Sequence, residues 1–98
     1  MTGSDASGEL PQDPAAQFQA AFKKIVTILK ASGLEFGSVA EMTSYHVALQ
    51  KNFQLFQTVR SDYVSRPYPA WTAVEVAGLR RKGALVEIRV VAEVDNTS

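Results

Sequence analysis

Residues 67–94 read "PYPAWTAVEVAGLRRKGALVEIRVVAEV". Two prolines hold the entry extended and forbid a helix there. Two runs rich in β-branched residues follow, Trp71 to Leu79 and Gly83 to Val94, which predicts a strand from each. The charged "RRKG" between them reads as a turn, so the pair is expected to be an antiparallel hairpin. Val86, Ile88, Val90 and Ala92 share one apolar face, and Leu85, Glu87, Arg89, Val91 and Glu93 form a mixed one. A turn centred near Arg81 would place Trp71 opposite Val91, Ala73 opposite Arg89 and Glu75 opposite Glu87. Trp71 and Arg89 then become diagonal neighbours on the mixed face, close enough for a guanidinium to meet an indole. That constellation reads either as a polar patch at an interface or as an anion-binding pocket with an aromatic wall.

Upstream, the pattern is helical. Asp13 suits an N-cap and Pro14 the first turn. Phe18, Phe22, Ile25 and Leu29 recur at spacings of four and three, which gives one buried stripe. Gln17, Gln19, Lys23, Lys24 and Lys30 are expected on the polar side. Gly33 is the expected left-handed cap. "MTSYHVAL", starting at Met42, suits a strand better than the helix that the S-x-x-E match at 38–41 would start. A second helix is expected from about Lys51 to Val64, with Phe53, Phe56, Val59, Tyr63 and Val64 inward. The order helix, strand, helix, strand, strand predicts a two-layer α+β fold, with two helices on one face of a mainly antiparallel sheet. The other face has no helix to cover it, which points to a subunit interface.

Composition narrows the function. The chain has 98 residues, 46% hydrophobic, with ten acidic and ten basic residues and no cysteine. That fits one small domain, which leaves much surface exposed and gains from a partner subunit. A neutral chain lacks the basic excess of an electrostatic nucleic-acid binder, so nucleic acid is not the expected partner. Without cysteine there are no disulfides, thiolate nucleophiles or cysteine-based metal sites. The lone His46, on a strand with no histidine or cysteine partner, is a poor metal ligand and reads as structural. No metal and no cofactor are expected. Arg80, Arg81 and Lys82 read as a solvated turn whose charges discourage edge pairing. No apolar run approaches the ~18 residues of a membrane span. The start "MTGSDASGEL" lacks the basic and apolar regions of a signal peptide. A soluble cytoplasmic protein is expected, with residues 1–12 as a flexible N-terminal segment, 13–94 as the domain and 95–98 as a tail.

The stretches "ILKASGLEFGSVAEMTSYHVAL", "NFQLFQTVRSDYV" and the ending quoted above resemble the RidA family, also called YjgF or endoribonuclease L-PSP. The resemblance runs from about residue 7 to 94. Its most specific part is P-x-P-A-x-[ST]-x-V-E-V-x-x-L followed by G-A-x-[VI]-E-I. It implies a chorismate-mutase-like fold, a homotrimer with pockets between subunits, and hydrolysis of 2-imino acids to 2-oxo acids and ammonia. Some members are described as ribonucleases or translation inhibitors. The departures bear on that activity. Where deaminases keep an arginine that grips the substrate carboxylate, this chain has Trp71, and an indole cannot replace a bidentate guanidinium. A deaminase glutamate falls at Arg89, a frequent pocket cysteine at Ala73, and a pocket asparagine near Gln57. Glu75 and Glu87 are general-base candidates by composition only. The family's usual N-terminal hairpin is expected to be missing.

The expected function is therefore a RidA-like protein with an inter-subunit pocket for a 2-imino or 2-oxo acid-like molecule, lined by Trp71, Arg89, Gln57, Ala73 and Glu75. Hydrolysis of an imine or enamine is one reading, outside standard 2-iminopropanoate deamination. A non-catalytic ligand-binding or regulatory protein is the alternative, and an endoribonuclease comes third.

Overall fold

Asp13 takes the N-cap position expected of it, without a capping hydrogen bond from its side chain, and Pro14 opens the first helix. The computed structural model describes residues 10–64 and 69–92. Helix α1 spans Pro14–Ala31, with Asp13 extended before it and Pro14 in its first turn. Its end is a full Schellman closure. Gly33 takes φ +73°, its N–H bonds the Lys30 carbonyl at 3.0 Å, and the Leu34 N–H bonds that of Leu29 at 2.7 Å. A 3-10 turn, Phe36–Ser38, leads into strand β1, Val39–His46. Helix α2 follows at Leu49–Ser61, then β2 at Ala70–Glu75 and β3 at Val86–Ala92. The expected second helix thus starts earlier and ends earlier, and both final strands are shorter than their apolar runs. Residues 1–9 and 93–98 hold much of the expected flexible segment and tail, and they lie outside the described residues.

The two layers form as expected, but the sheet is mixed, in the order β2-β1-β3. β1 runs parallel to β2 and antiparallel to β3. The expected hairpin between β2 and β3 is therefore corrected: both strands bond to β1, one on each side. A parallel pair needs a crossover, and α2 supplies it between β1 and β2. The chain from Val76 to Leu85, with its three cations, is then an irregular excursion to the other side of β1. The alternation of "RRKG" and β-branched runs resembles a hairpin locally, and the competition for β1 overrides it.

The core lies between the helices and the inner sheet face. Phe18, Phe22, Ile25 and Leu29 of α1 meet Phe56 and Val59 of α2 over Met42, Val86 and Ile88. Phe22 stacks on Tyr63, ring centroids 5.3 Å apart and 7° from parallel. Met42, Ser44 and His46 share one face of β1, as strand alternation requires, and the structure turns that face inward. Val39 is also buried although it lies three residues before Met42. A register shift between Val39 and Glu41 restores it to the inner face.

Gln17 departs from expectation. It lies in the buried stripe, 3% exposed, rather than on the polar side. Its amide nitrogen donates to the carbonyls of Pro11 (2.9 Å) and Gly83 (3.2 Å), and its oxygen accepts from the Leu85 N–H at 2.9 Å. One side chain thus ties the approach to α1 to the loop entering β3. Gly83 sits at φ +88° in that loop, with Leu10 Cδ1 3.6 Å from where a Cβ would stand. Leu10 and Pro11 are half-buried, so the last residues before α1 are held in place. Replacing the amide would leave a backbone donor without this partner inside the fold, at about 1–3 kcal/mol. Gln17→Leu should lower the stability from urea unfolding by about 2 kcal/mol, against less than about 0.5 kcal/mol for the surface control Lys23→Ala. Equal midpoints and slopes in the two variants would show that the amide contributes nothing.

Candidate functional site

Trp71 pairs with Met42 across the parallel ladder, so it lies on the inner face with Ala73 and Glu75, which pair with Ser44 and His46. Its half-buried ring is parallel to Phe53 of α2 (centroids 5.8 Å, 4°) and tilted against Phe56 at 5.9 Å. The Arg60 guanidinium carbon lies 4.3 Å from the centre of the indole. Below, Trp71 Nε1 donates to Ser44 Oγ at 2.8 Å, and Ser44 Oγ is 2.7 Å from His46 Nε2. Ser44 and His46 are 0% and 1% exposed. The His46 ring meets Phe56 edge-on at 4.5 Å.

Arg89 pairs with Thr43 and Glu87 with Tyr45, which places both on the outer face. The expected diagonal contact of Trp71 with Arg89 is thereby corrected, as is the opposition of Glu75 and Glu87. β1 separates the two strands, and the side chains leave opposite faces of the sheet. Arg89, Glu87 and Tyr45 instead border a groove of about 600 Å³ at the free side of β3, beside Ile25, Ile28 and Leu29 of α1. Of the expected pocket residues, Trp71, Ala73 and Glu75 share one face. Gln57 is exposed on α2, four residues from Phe53 and three from Arg60, in one helical row. Glu75 Oε1 accepts the Leu49 N–H at 3.1 Å. It caps α2 from a neighbouring strand, in place of Ala48, which has no capping side chain and sits at φ +59°.

Sequence reasoning missed Arg60 and Ser44. Arg60 had a signal: a cation at seven residues from Phe53 and four from Phe56, within an apolar helical row. Ser44 had none beyond its place in the strand alternation. Among the described residues no three His, Cys, Asp or Glu side chains gather to hold a metal ion, and no helix is long and apolar enough to cross a membrane.

Burial lowers the His46 pKa from 6.5 to about 4, because the apolar surroundings disfavour the imidazolium. Unfolding returns it to its ordinary value. Its neutral form is fully compatible with the fold above pH ~6.5, and stability falls as pH drops from there toward ~4, where the unfolded chain alone takes the proton. The loss should reach about 3 kcal/mol, from ~1.4 kcal/mol per pH unit. His46→Gln should flatten the slope of unfolding free energy against pH by one proton in that window. Parallel curves for the two proteins would contradict the burial.

The sequence profile described as Endoribonuclease L-PSP matches residues 1–94. The chain is 34% identical over 95 residues to the RutC family protein YjgH of Escherichia coli K12, covering 96% of this chain and 71% of that protein. It is 32% identical over 92 residues to the 2-iminobutanoate/2-iminopropanoate deaminase of the same organism, covering 88% of this chain and 68% of the enzyme. The crystal structure of RidA from an Antarctic Psychrobacter aligns with a TM-score of 0.88 at 32% identity, over 96% of this chain and 76% of that one. Sequence pattern, the chorismate-mutase-like α+β layers and these similarities agree, and the chain belongs to the RidA/YjgF family.

Proposed function

We propose that this protein binds a small 2-oxo or 2-imino acid-like molecule in a pocket between the subunits of a cytoplasmic homotrimer, and that it is not a standard 2-iminopropanoate deaminase. Trp71 carries this reading. It stands where the family's deaminases keep the arginine that grips the carboxylate, and its one polar hydrogen is already taken by Ser44. An indole donates one hydrogen bond and carries no charge, so the bidentate grip is lost. Arg89, on the outer face of the sheet, does not stand in for it within one subunit. If the protein turns over a ligand, the reaction is hydrolysis of an imine or enamine.

A non-catalytic binding role is the second reading, favoured by the state of the acid–base groups near Trp71. His46 is buried, and Glu75 holds the N-terminus of α2. A general base must come within hydrogen-bond reach of its proton, and each of these groups already has a protein partner, Ser44 for His46 and the Leu49 N–H for Glu75.

Ammonia release from 2-iminopropanoate generated in situ tests the proposal, with Trp71→Arg/Arg89→Glu as comparator and light scattering to match oligomeric size. The native chain should release ammonia at least tenfold more slowly than the E. coli deaminase, a barrier difference of ~1.4 kcal/mol or more. Native turnover at the deaminase's rate would overturn the reading. A monomer by light scattering would remove the inter-subunit pocket.

A further inference from the structure

Deepening the ligand-binding reading on which it rests, we infer that Arg60 of α2 supplies the carboxylate anchor, and that the site selects carboxylates carrying a flat, aromatic or conjugated group. Three features of the inner face lead here. Arg60 holds its charge 4.3 Å from the indole centre, and it is half-buried. A cation over a ring is held by the ring's quadrupole, an attraction that strengthens as water is excluded. The same row of α2 carries Phe53, whose ring lies 4° from parallel with Trp71, and Gln57, which is exposed. Phe53 and Trp71 stack into a half-buried aromatic shelf, and the Arg60 cation lies over its indole.

The hydrogen bonding sets what that shelf recognises. Trp71 Nε1 is committed to Ser44, so the indole offers a ligand only its π surface. Polar recognition falls to the guanidinium, whose planar fork matches a carboxylate, and to the Gln57 amide. A small aliphatic acid such as pyruvate would use the cation and leave the shelf bare. Phenylpyruvate would use both, and aromatic stacking adds specificity of geometry as well as contact.

The chain has one tryptophan, so its indole N–H gives one NMR resonance at this site. Titrating the full-length protein with pyruvate and with phenylpyruvate, and following that resonance, measures both affinities directly. Phenylpyruvate should bind at least tenfold more tightly than pyruvate. Arg60→Gln should weaken phenylpyruvate at least tenfold, Arg60→Lys should retain part of the affinity as a point charge without the fork, and Arg81→Gln in the distant loop should change nothing. Unaltered far-ultraviolet circular dichroism would establish that each variant is folded. If the native protein binds phenylpyruvate and Arg60→Gln binds it equally well, the anchor is overturned while the ligand-binding reading stands. Equal affinity for the two acids overturns the selectivity. If the native protein binds neither acid, the ligand-binding reading fails and the inference with it.

Discussion

The parallel pairing of β1 with β2 is the constraint on which the rest of the structure depends. Parallel neighbours cannot be joined by a tight turn, so the thirteen-residue α2 must cross over the sheet between them. That crossing lays Phe53, Phe56 and Arg60 over Trp71. It also brings the start of α2 beside the end of β2, where Glu75 can take the Leu49 N–H. Ala48 pays no part in capping, and as an alanine at positive φ it costs about 1–2 kcal/mol. The bond from Glu75 offsets part of that by satisfying an orphan donor of the first turn. The tryptophan's surroundings are thus a consequence of topology, set before any question of ligand arises.

Much of this fold is legible residue by residue. Helix α1 announces itself through Asp13-Pro14, the stripe from Phe18 to Leu29 and Gly33, because each is a local rule with one outcome. That Met42, Ser44 and His46 share a face follows from strand period alone, whereas which face turns inward is set by the packing of the helices. Strand partners are different, since pairing is a competition among distant segments. The runs at 71–79 and 83–94 carry equal signals for pairing with each other or with β1, and period two does not distinguish them. The hairpin reading failed there, and with it the contact of Trp71 and Arg89. Gln17 was misplaced for a related reason. Polarity sends a glutamine outward unless backbone groups from elsewhere wait for it, and those of Pro11, Gly83 and Leu85 converge only in the folded chain.

The candidate site divides along the same line. Trp71 stands out in the sequence itself, as the chain's one tryptophan at the entry to a strand. Which cation accompanies it depends on which element crosses above, and that is a tertiary fact. Arg89 was the nearest cation by assumed register, whereas Arg60 is the nearest in space. A charged residue inside an apolar helical row is the one local sign that pointed to it.

The polar layer under Trp71 fixes which of its groups are already committed within the fold. Indole nitrogen is only a donor, so Ser44 Oγ must accept from it. The Ser44 hydroxyl proton then has His46 Nε2 at 2.7 Å as acceptor, which requires the neutral imidazole that burial already favours. Trp71, Ser44 and His46 therefore satisfy one another in sequence, and a buried network of this kind holds its members in fixed orientation. A serine beside a histidine invites comparison with a nucleophile and its base. Here the serine has no exposed surface and its lone pair already serves the indole, so it is structural. The consequence is directional. With its N–H committed to Ser44, the indole has no further donor to offer, and the cation against its ring comes from α2.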